Sequence, residues 1–107
     1  MSYYEHTIIA KQDLTKSQFE KVKSKYENLI NSSDGQVLKT EEWGLLSFAR
    51  KLNKYNKGFY IHYKFKGNPN TLEILKKNGN IDKDILKYLI VKYKKLDLDT
   101  EYFKNNN

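Results

Sequence analysis

The sequence contains no cysteine, which excludes disulfide bonds, thiolate metal sites and a cysteine nucleophile. Long apolar runs are also missing, because the stretches at residues 8–10 and 89–91 fall far below the roughly 20 residues that cross a bilayer. The first nine residues lack the basic and apolar regions of a signal peptide. These absences predict a cytoplasmic protein with no membrane partner.

Residues that commonly carry catalysis or bind metals are scarce. The two histidines, His6 and His62, fall on separate predicted strands with no nucleophile motif beside them, and the five glycines are scattered singly rather than grouped in a phosphate-binding loop. Asp97, Asp99 and Glu101 lack the glycine and the closing glutamate of a calcium loop. We therefore predict no catalytic residue, no metal site, no cofactor and no small-molecule substrate.

Positive charge is in excess. Twenty basic residues against 13 acidic ones give a formal net charge of +7. The excess is uneven, since residues 1–42 hold six lysines against seven acidic residues, whereas residues 43–107 hold fourteen cations against six acidic residues. Such asymmetry is typical of a surface that binds a polyanion such as nucleic acid.

Four segments have the composition of strands. One of them, 59–66, alternates with a period of two, and another contains Gly44, where we expect a β-bulge. The polar run at 53–58 ends in Asn56, Lys57 and Gly58, which favours a hairpin connection. The predicted strands are 3–10, 36–52, 59–66 and 85–93.

Two helices are expected between these strands. Thr15 with Gln18 three residues later forms a capping box, and the apolar spacing that follows predicts a helix to about Asn31. The second helix is shorter, with Thr71 as the expected N-cap and Gly79 at its end.

The predicted order is strand, helix, strand, strand, helix, strand. This order is the ferredoxin-like split βαβ arrangement, an α+β fold in which two helices cover one face of a four-stranded antiparallel sheet. The length suits one such domain at 1–95, followed by a polar tail at 96–107 that we expect to be flexible.

One stretch, 50–66, mixes basic and aromatic residues and contains no acidic residue. Such a mixture suits phosphate contact together with stacking on bases. The alternation predicts that Phe59 and Tyr63 face the core, while Tyr60 and His62 point to the opposite face of the sheet. That face could stack RNA or dock a protein, and the sequence pattern of an RNA-recognition motif is missing from it.

Several short motifs together resemble the bacterial small-subunit (30S) ribosomal protein six family, the bacterial S-six type. The resemblance implies a ferredoxin-like fold and no catalytic activity. It also implies a structural component of the small ribosomal subunit that pairs with small-subunit ribosomal protein eighteen, binds the central domain of 16S ribosomal RNA and helps to assemble the platform. The motifs are Tyr4-Glu5, Glu42-Trp43-Gly44, Phe48-Ala49 followed by Leu52-Asn53-Lys54, Gly58-Phe59-Tyr60 and Leu89-Ile90-Val91-Lys92.

The resemblance and the charge pattern together name candidate site residues. Many family members have a cation directly after the Trp-Gly pair, whereas this chain has Leu45 and Leu46 there, and our hypothesis is that Arg50 and Lys51 supply the displaced charge. Trp43, Tyr60 and His62 are the candidates for the partner interface. The predicted RNA-binding residues are Tyr4, Arg50, Lys51, Lys54, Lys57, Lys87 and Lys92.

Two alternatives remain open at this stage. A ferredoxin-like enzyme or ligand-binding dimer would need titratable groups that converge around His6 or His62 in a concave site. A self-associating module would use the helix-free sheet face between two copies. The ribosomal interpretation predicts instead that the isolated chain is a monomer.

Overall fold

The computed structural model of the chain describes residues 2–52 and 54–93. The predicted order of elements is confirmed, and the predicted tail at 96–107 lies outside the described residues. The elements are β1 (Ser2–Lys11), α1 (Lys16–Ser32), β2 (Gln36–Leu52), β3 (Tyr55–Gly67), α2 (Pro69–Ile81) and β4 (Ile85–Tyr93).

The four strands form one antiparallel sheet in the order β2-β3-β1-β4. Val22, Tyr26 and Ile30 of α1 and Leu75 of α2 are buried against one face of this sheet, which confirms the ferredoxin-like arrangement. No helix among the described residues covers the other face. Fully buried apolar residues of the sheet in this core are Ile8, Ala10, Ile61, Tyr63 and Phe65.

Both helices begin with a capping box, although the N-cap of the second helix was predicted at the wrong residue. Thr15 caps α1 as expected, since its hydroxyl accepts from the Gln18 amide at 3.2 Å and the Gln18 side chain accepts from the Thr15 amide at 2.9 Å. In α2 the N-cap is Asn68, and Thr71 closes the box at the third helical position instead of being the cap. Pro69 explains the shift, because its fixed φ and missing N–H suit the first helical position.

Gly79 does not end α2, which continues to Ile81. A Cβ at Gly79 would lie 2.7 Å from the ring of Tyr88, so the glycine allows α2 to approach β4 closely. The same reason explains Gly58, which is not a turn residue. β3 begins at Tyr55 rather than at residue 59, and a Cβ at Gly58 would lie 2.6 Å from Ile9.

Candidate RNA and partner interfaces

The end of the β2–β3 hairpin projects beyond the rest of the sheet. Pairing of β1 with β3 stops at Lys11 and Gly58, so β2 from residue 47 onwards and β3 up to residue 57 continue as two strands past β1. We call this segment the cationic arm. It carries four exposed cations and no acidic residue, and these cations are Arg50, Lys51, Lys54 and Lys57.

Contacts near the tip and near the base fix the position of the cationic arm. The Tyr55 hydroxyl donates to Asp13 Oδ2 at 3.1 Å, which ties the arm to the loop between β1 and α1. The ring of Phe48 lies 6.3 Å from that of Tyr60. The register shifts between Ser47 and Leu52, so that β2 bulges where Arg50 and Lys51 lie. Lys54 has a φ of 74°, as a tight connection between the strands requires.

The two predicted RNA-binding residues of β4 are exposed but do not lie together. Lys87 pairs with Ile9 and shares the helix-free face with Leu89, whereas Lys92 pairs with Tyr4 at the other end of the strand. Five residues of strand separate the two lysines by roughly 16 Å. Lys87 lies near the end of the sheet that carries the cationic arm, and Lys92 lies far from it.

The structure corrects the prediction for Tyr4. Its side chain is buried under the helices at 6% exposure, and its ring stacks on Phe65 with the ring centres 5.5 Å apart. The alternation of β1 puts Tyr4 on the same face as Ile8, so the ring is not available for stacking on RNA. We therefore assign Tyr4 to the core.

The three predicted partner-interface residues come together on the helix-free face. A β-bulge at Gly44, with φ of 86°, confirms the expected irregularity of β2, and Trp43 is the extra residue. The indole of Trp43 stacks on His62, with ring centres 4.7 Å apart, and lies 6.2 Å from Tyr60. Its N–H donates to Glu41 Oε1 at 3.1 Å. We call Trp43, Tyr60 and His62 the aromatic platform.

Charged groups surround the aromatic platform. Glu41 Oε2 lies 3.5 Å from Lys64 Nζ, and Glu5 Oε2 lies 3.5 Å from His62 Nε2. A hydrogen bond of 2.7 Å joins His62 Nδ1 to the Thr7 hydroxyl. These side chains come from β1, β2 and β3, so sequence reasoning missed Glu41 and Lys64 as a pair because their meeting depends on the register of the strands.

His62 lies on the predicted face but is buried, at 3% exposure. The alternation in the sequence predicted an exposed side chain here, whereas neighbouring side chains of the sheet cover the imidazole. Burial lowers the pKa of His62, although Glu5 and Glu41 oppose the effect. The side chain is therefore neutral at pH 7, and Trp43 and Tyr60 are the accessible part of the aromatic platform, since both are half-buried.

An apolar groove of about 380 Å³ runs from the aromatic platform to β4. Its walls include Leu89 and Val91, which are 59% and 37% exposed. Ile9, Tyr60 and Tyr93 also line it, and among the described residues that line it Glu5 is the acidic one and Lys87 the basic one. A surface with these features suits a protein segment that has apolar side chains.

The two histidines do not meet in one site. His6 is buried on the helix-covered face, and His62 belongs to the opposite face. Within residues 2–52 and 54–93, no three His, Cys, Asp or Glu side chains cluster in a way that could hold a metal ion. In the same ranges, no helix is both long and apolar enough to cross a membrane.

Comparison with known proteins gives a consistent result. A family model described as Ribosomal protein S6 matches residues 3–92. The chain is 40% identical over 107 residues to the small ribosomal subunit protein bS6 of Pelagibacter ubique, covering 100% of this chain and 88% of that protein. It is 36% identical over 96 residues to bS6 of Ehrlichia chaffeensis, covering 90% and 88%.

A solved structure agrees with the fold. The 30S ribosomal protein S6 of Thermotoga maritima superposes with a TM-score of 0.82 and 20% identity, over 86% of this chain and 87% of that one. At this identity the likeness concerns the fold.

Proposed function

This chain belongs to the ribosomal protein S6 family, and from that premise we propose that it binds the central domain of 16S ribosomal RNA as a heterodimer with small-subunit ribosomal protein eighteen and helps to assemble the platform. The coarser role follows from the family. The chain is a non-enzymatic component of the small ribosomal subunit and is located on the cytoplasmic ribosome.

The proposal that the chain binds RNA rests on the cationic arm. It presents four exposed cations in a stretch where no acidic residue occurs between Glu42 and Glu73. Cations that neutralise phosphates release counterions, so they contribute affinity that depends on salt and not on base sequence. Arg50 is the one arginine of the chain and can contact a phosphate through two hydrogen bonds. Lys87 and Lys92 extend the proposed RNA contacts along β4.

The helix-free face supports the proposal for the protein partner. The groove and the aromatic platform expose apolar and aromatic side chains, which are enriched at protein interfaces. The Glu5 carboxylate in the groove disfavours RNA phosphates there. The cationic arm and the groove are thus the main proposed surfaces for RNA and for protein, and Lys87, a proposed RNA contact that also lines the groove, is common to both. The isolated chain is expected to be a monomer.

The test measures binding of the purified chain to a central-domain fragment of 16S ribosomal RNA, with and without protein eighteen, across a salt titration. We expect tight binding only with the partner, weakening steeply as salt rises. Replacing all four cations of the arm with alanine should lower affinity and flatten the salt dependence, by about one unit of slope for each phosphate that is no longer neutralised.

A matched control carries the same change of charge elsewhere. Lys16, Lys21, Lys76 and Lys77 are exposed on the helices, and their replacement by alanine should leave the slope much closer to that of the unsubstituted chain. Equal effects in the two variants would show that only net charge matters. If Arg50→Ala with Lys51→Ala changes neither affinity nor slope, those two residues do not supply the displaced charge.

A further inference from the structure

We propose that Glu5 is a specificity-determining residue of the groove, where it receives one cationic side chain, lysine or arginine, from the apolar segment of protein eighteen that docks there. This inference rests on the proposed function and adds the chemistry by which the partner is selected.

Glu5 differs from the other acidic residues in its surroundings. It lies in the middle of β1, an internal strand, and is only 9% exposed. Its carboxylate lines a groove that is otherwise mostly apolar, with Ile9 on the same strand and Leu89 and Val91 on β4. An ionised carboxylate with few water contacts is costly unless a cation or several hydrogen bonds accompany it.

The neighbours of Glu5 within the sheet balance this charge only in part. The ion-pair partner within reach among the described residues is His62, at 3.5 Å, and burial keeps that imidazole neutral at pH 7. Lys64 is directly opposite Glu5 in the register, yet its ammonium lies 3.5 Å from Glu41. Within the described residues, the Glu5 carboxylate therefore lacks a lysine or arginine partner, and Lys87 is the one cation among those that line the groove.

The groove favours a cation of the partner over other occupants. A basic side chain entering beside Trp43 and Tyr60 would meet aromatic rings that attract cations as well as the carboxylate. Its apolar neighbours in the partner would cover Leu89 and Val91, both of which are well exposed. A phosphate or an acidic peptide would be repelled by the same carboxylate.

The test uses Glu5→Gln, which keeps the size of the side chain and removes its charge. Binding of the full chain to protein eighteen is measured by calorimetry, and thermal unfolding verifies that the variant folds. We expect affinity to fall about tenfold or more, because one member of a desolvated charge pair is removed. Glu73→Gln, an exposed position on α2, is the matched control and should bind as the unsubstituted chain does.

A double-mutant cycle then identifies the cation. Each lysine and arginine of protein eighteen is replaced by glutamine in turn, and one replacement should weaken binding to the unsubstituted chain but add little with Glu5→Gln. Unchanged affinity of Glu5→Gln, or no coupled cation, overturns the inference while the heterodimer stands. Failure of the unsubstituted chain to bind protein eighteen contradicts the proposed function, and this inference falls with it. Self-association through the groove, seen by sedimentation and reversed by Leu89→Arg, would assign the groove to a second copy and also overturn it.

Discussion

The two faces of the sheet each bury a histidine, but they surround it with different kinds of neighbour. His6 and His62 lie on adjacent central strands, one position apart in the register, since His62 pairs with Thr7. His6 lies on the helix-covered face among the rings of Tyr26, Tyr63 and Tyr88, and neither of its nitrogens has a hydrogen-bond partner among the described residues. His62 lies on the helix-free face beside two carboxylates and a hydroxyl.

The two faces of this small domain are therefore held in place by different kinds of interaction. The helix-covered face is held by apolar and aromatic packing, and it keeps His6 neutral by burial, which lowers its pKa to about 3. The helix-free face is arranged by ion pairs and hydrogen bonds that orient Trp43 and His62. We expect substitutions on the first face to have the largest effects on stability and substitutions on the second to change recognition as well.

The largest expected effect comes from Phe65→Ala, at the centre of the helix-covered face. Phe65 is fully buried and stacks on Tyr4, so its truncation leaves a cavity and should lower the free energy of unfolding by about 4 kcal/mol. Leu89→Ala on the other face should cost within about 0.5 kcal/mol, because Leu89 is already 59% exposed. Urea unfolding of both variants measures the contrast, and equal losses would contradict it.

His6 should make stability depend on pH. Its pKa is about 3 in the folded chain and near the ordinary 6.5 in the unfolded chain. Below pH 6.5 the unfolded chain binds a proton that the folded chain does not, so stability is kept above pH 6.5 and lost as pH falls towards 3. The loss between pH 7 and pH 4 should be about 3 kcal/mol.

Urea unfolding across this range measures the loss, and NMR of the His6 ring should show no titration near pH 6.5. His6→Phe should remove most of the slope, whereas His62→Gln should retain most of it, because Glu5 and Glu41 oppose the lowering of the pKa of His62. A His6 ring that titrates near its ordinary value would show that burial does not govern this side chain.

Glu41→Ala should disturb the helix-free face. It leaves Lys64 without the carboxylate at 3.5 Å and Trp43 without its acceptor at 3.1 Å, and it should cost about 2 kcal/mol. Trp43 is the one tryptophan of the chain, so near-ultraviolet circular dichroism reports its orientation directly. Glu41→Gln is the control, because its amide oxygen can still accept from the indole. The same spectrum in all three proteins would mean that Glu41 does not orient Trp43.

The fold was predictable because patterns of neighbouring residues in the sequence indicate most of its helices and strands. The capping box of Thr15 and the alternation at 59–66 depend on neighbours in sequence. The box is present in the structure, and the alternation correctly separates the two faces of β3, although residues 61–65 are buried on both faces. Errors arose where a residue serves distant packing. Gly58 and Gly79 have the chemistry of turns and ends, yet each is a glycine because Ile9 or Tyr88 approaches it.

The candidate site was predictable only in part for the same reason. Charge and composition located the cationic arm, since its residues follow one another in the chain. The groove joins β1, β2, β3 and β4, and its carboxylate was visible in the sequence only within the Tyr4-Glu5 motif. The prediction for Tyr4 was wrong because a residue can match a family motif through its role in core packing and not through RNA binding. The alternation of β1 assigns it to the core only after Ile8 is known to face the helices.

Gly44→Ala should cost less stability than Phe65→Ala or Glu41→Ala, and it is the most direct test of how the two faces are kept apart. Nothing lies within 4 Å of a Cβ placed there, so the expected cost of about 1 kcal/mol comes from φ of 86° alone. The chain can relieve this strain by removing the bulge, and a shift of one residue would move Trp43 away from His62 and towards the other face. We expect the near-ultraviolet signal of Trp43 to weaken with Gly44→Ala and to persist with Gly44→Asn, because asparagine tolerates positive φ better than alanine. An unchanged signal with Gly44→Ala would mean that the ring contacts of Trp43 hold it in place without the bulge. The position of the recognition residues on this face would then depend on side-chain packing, as the position of the core residues does.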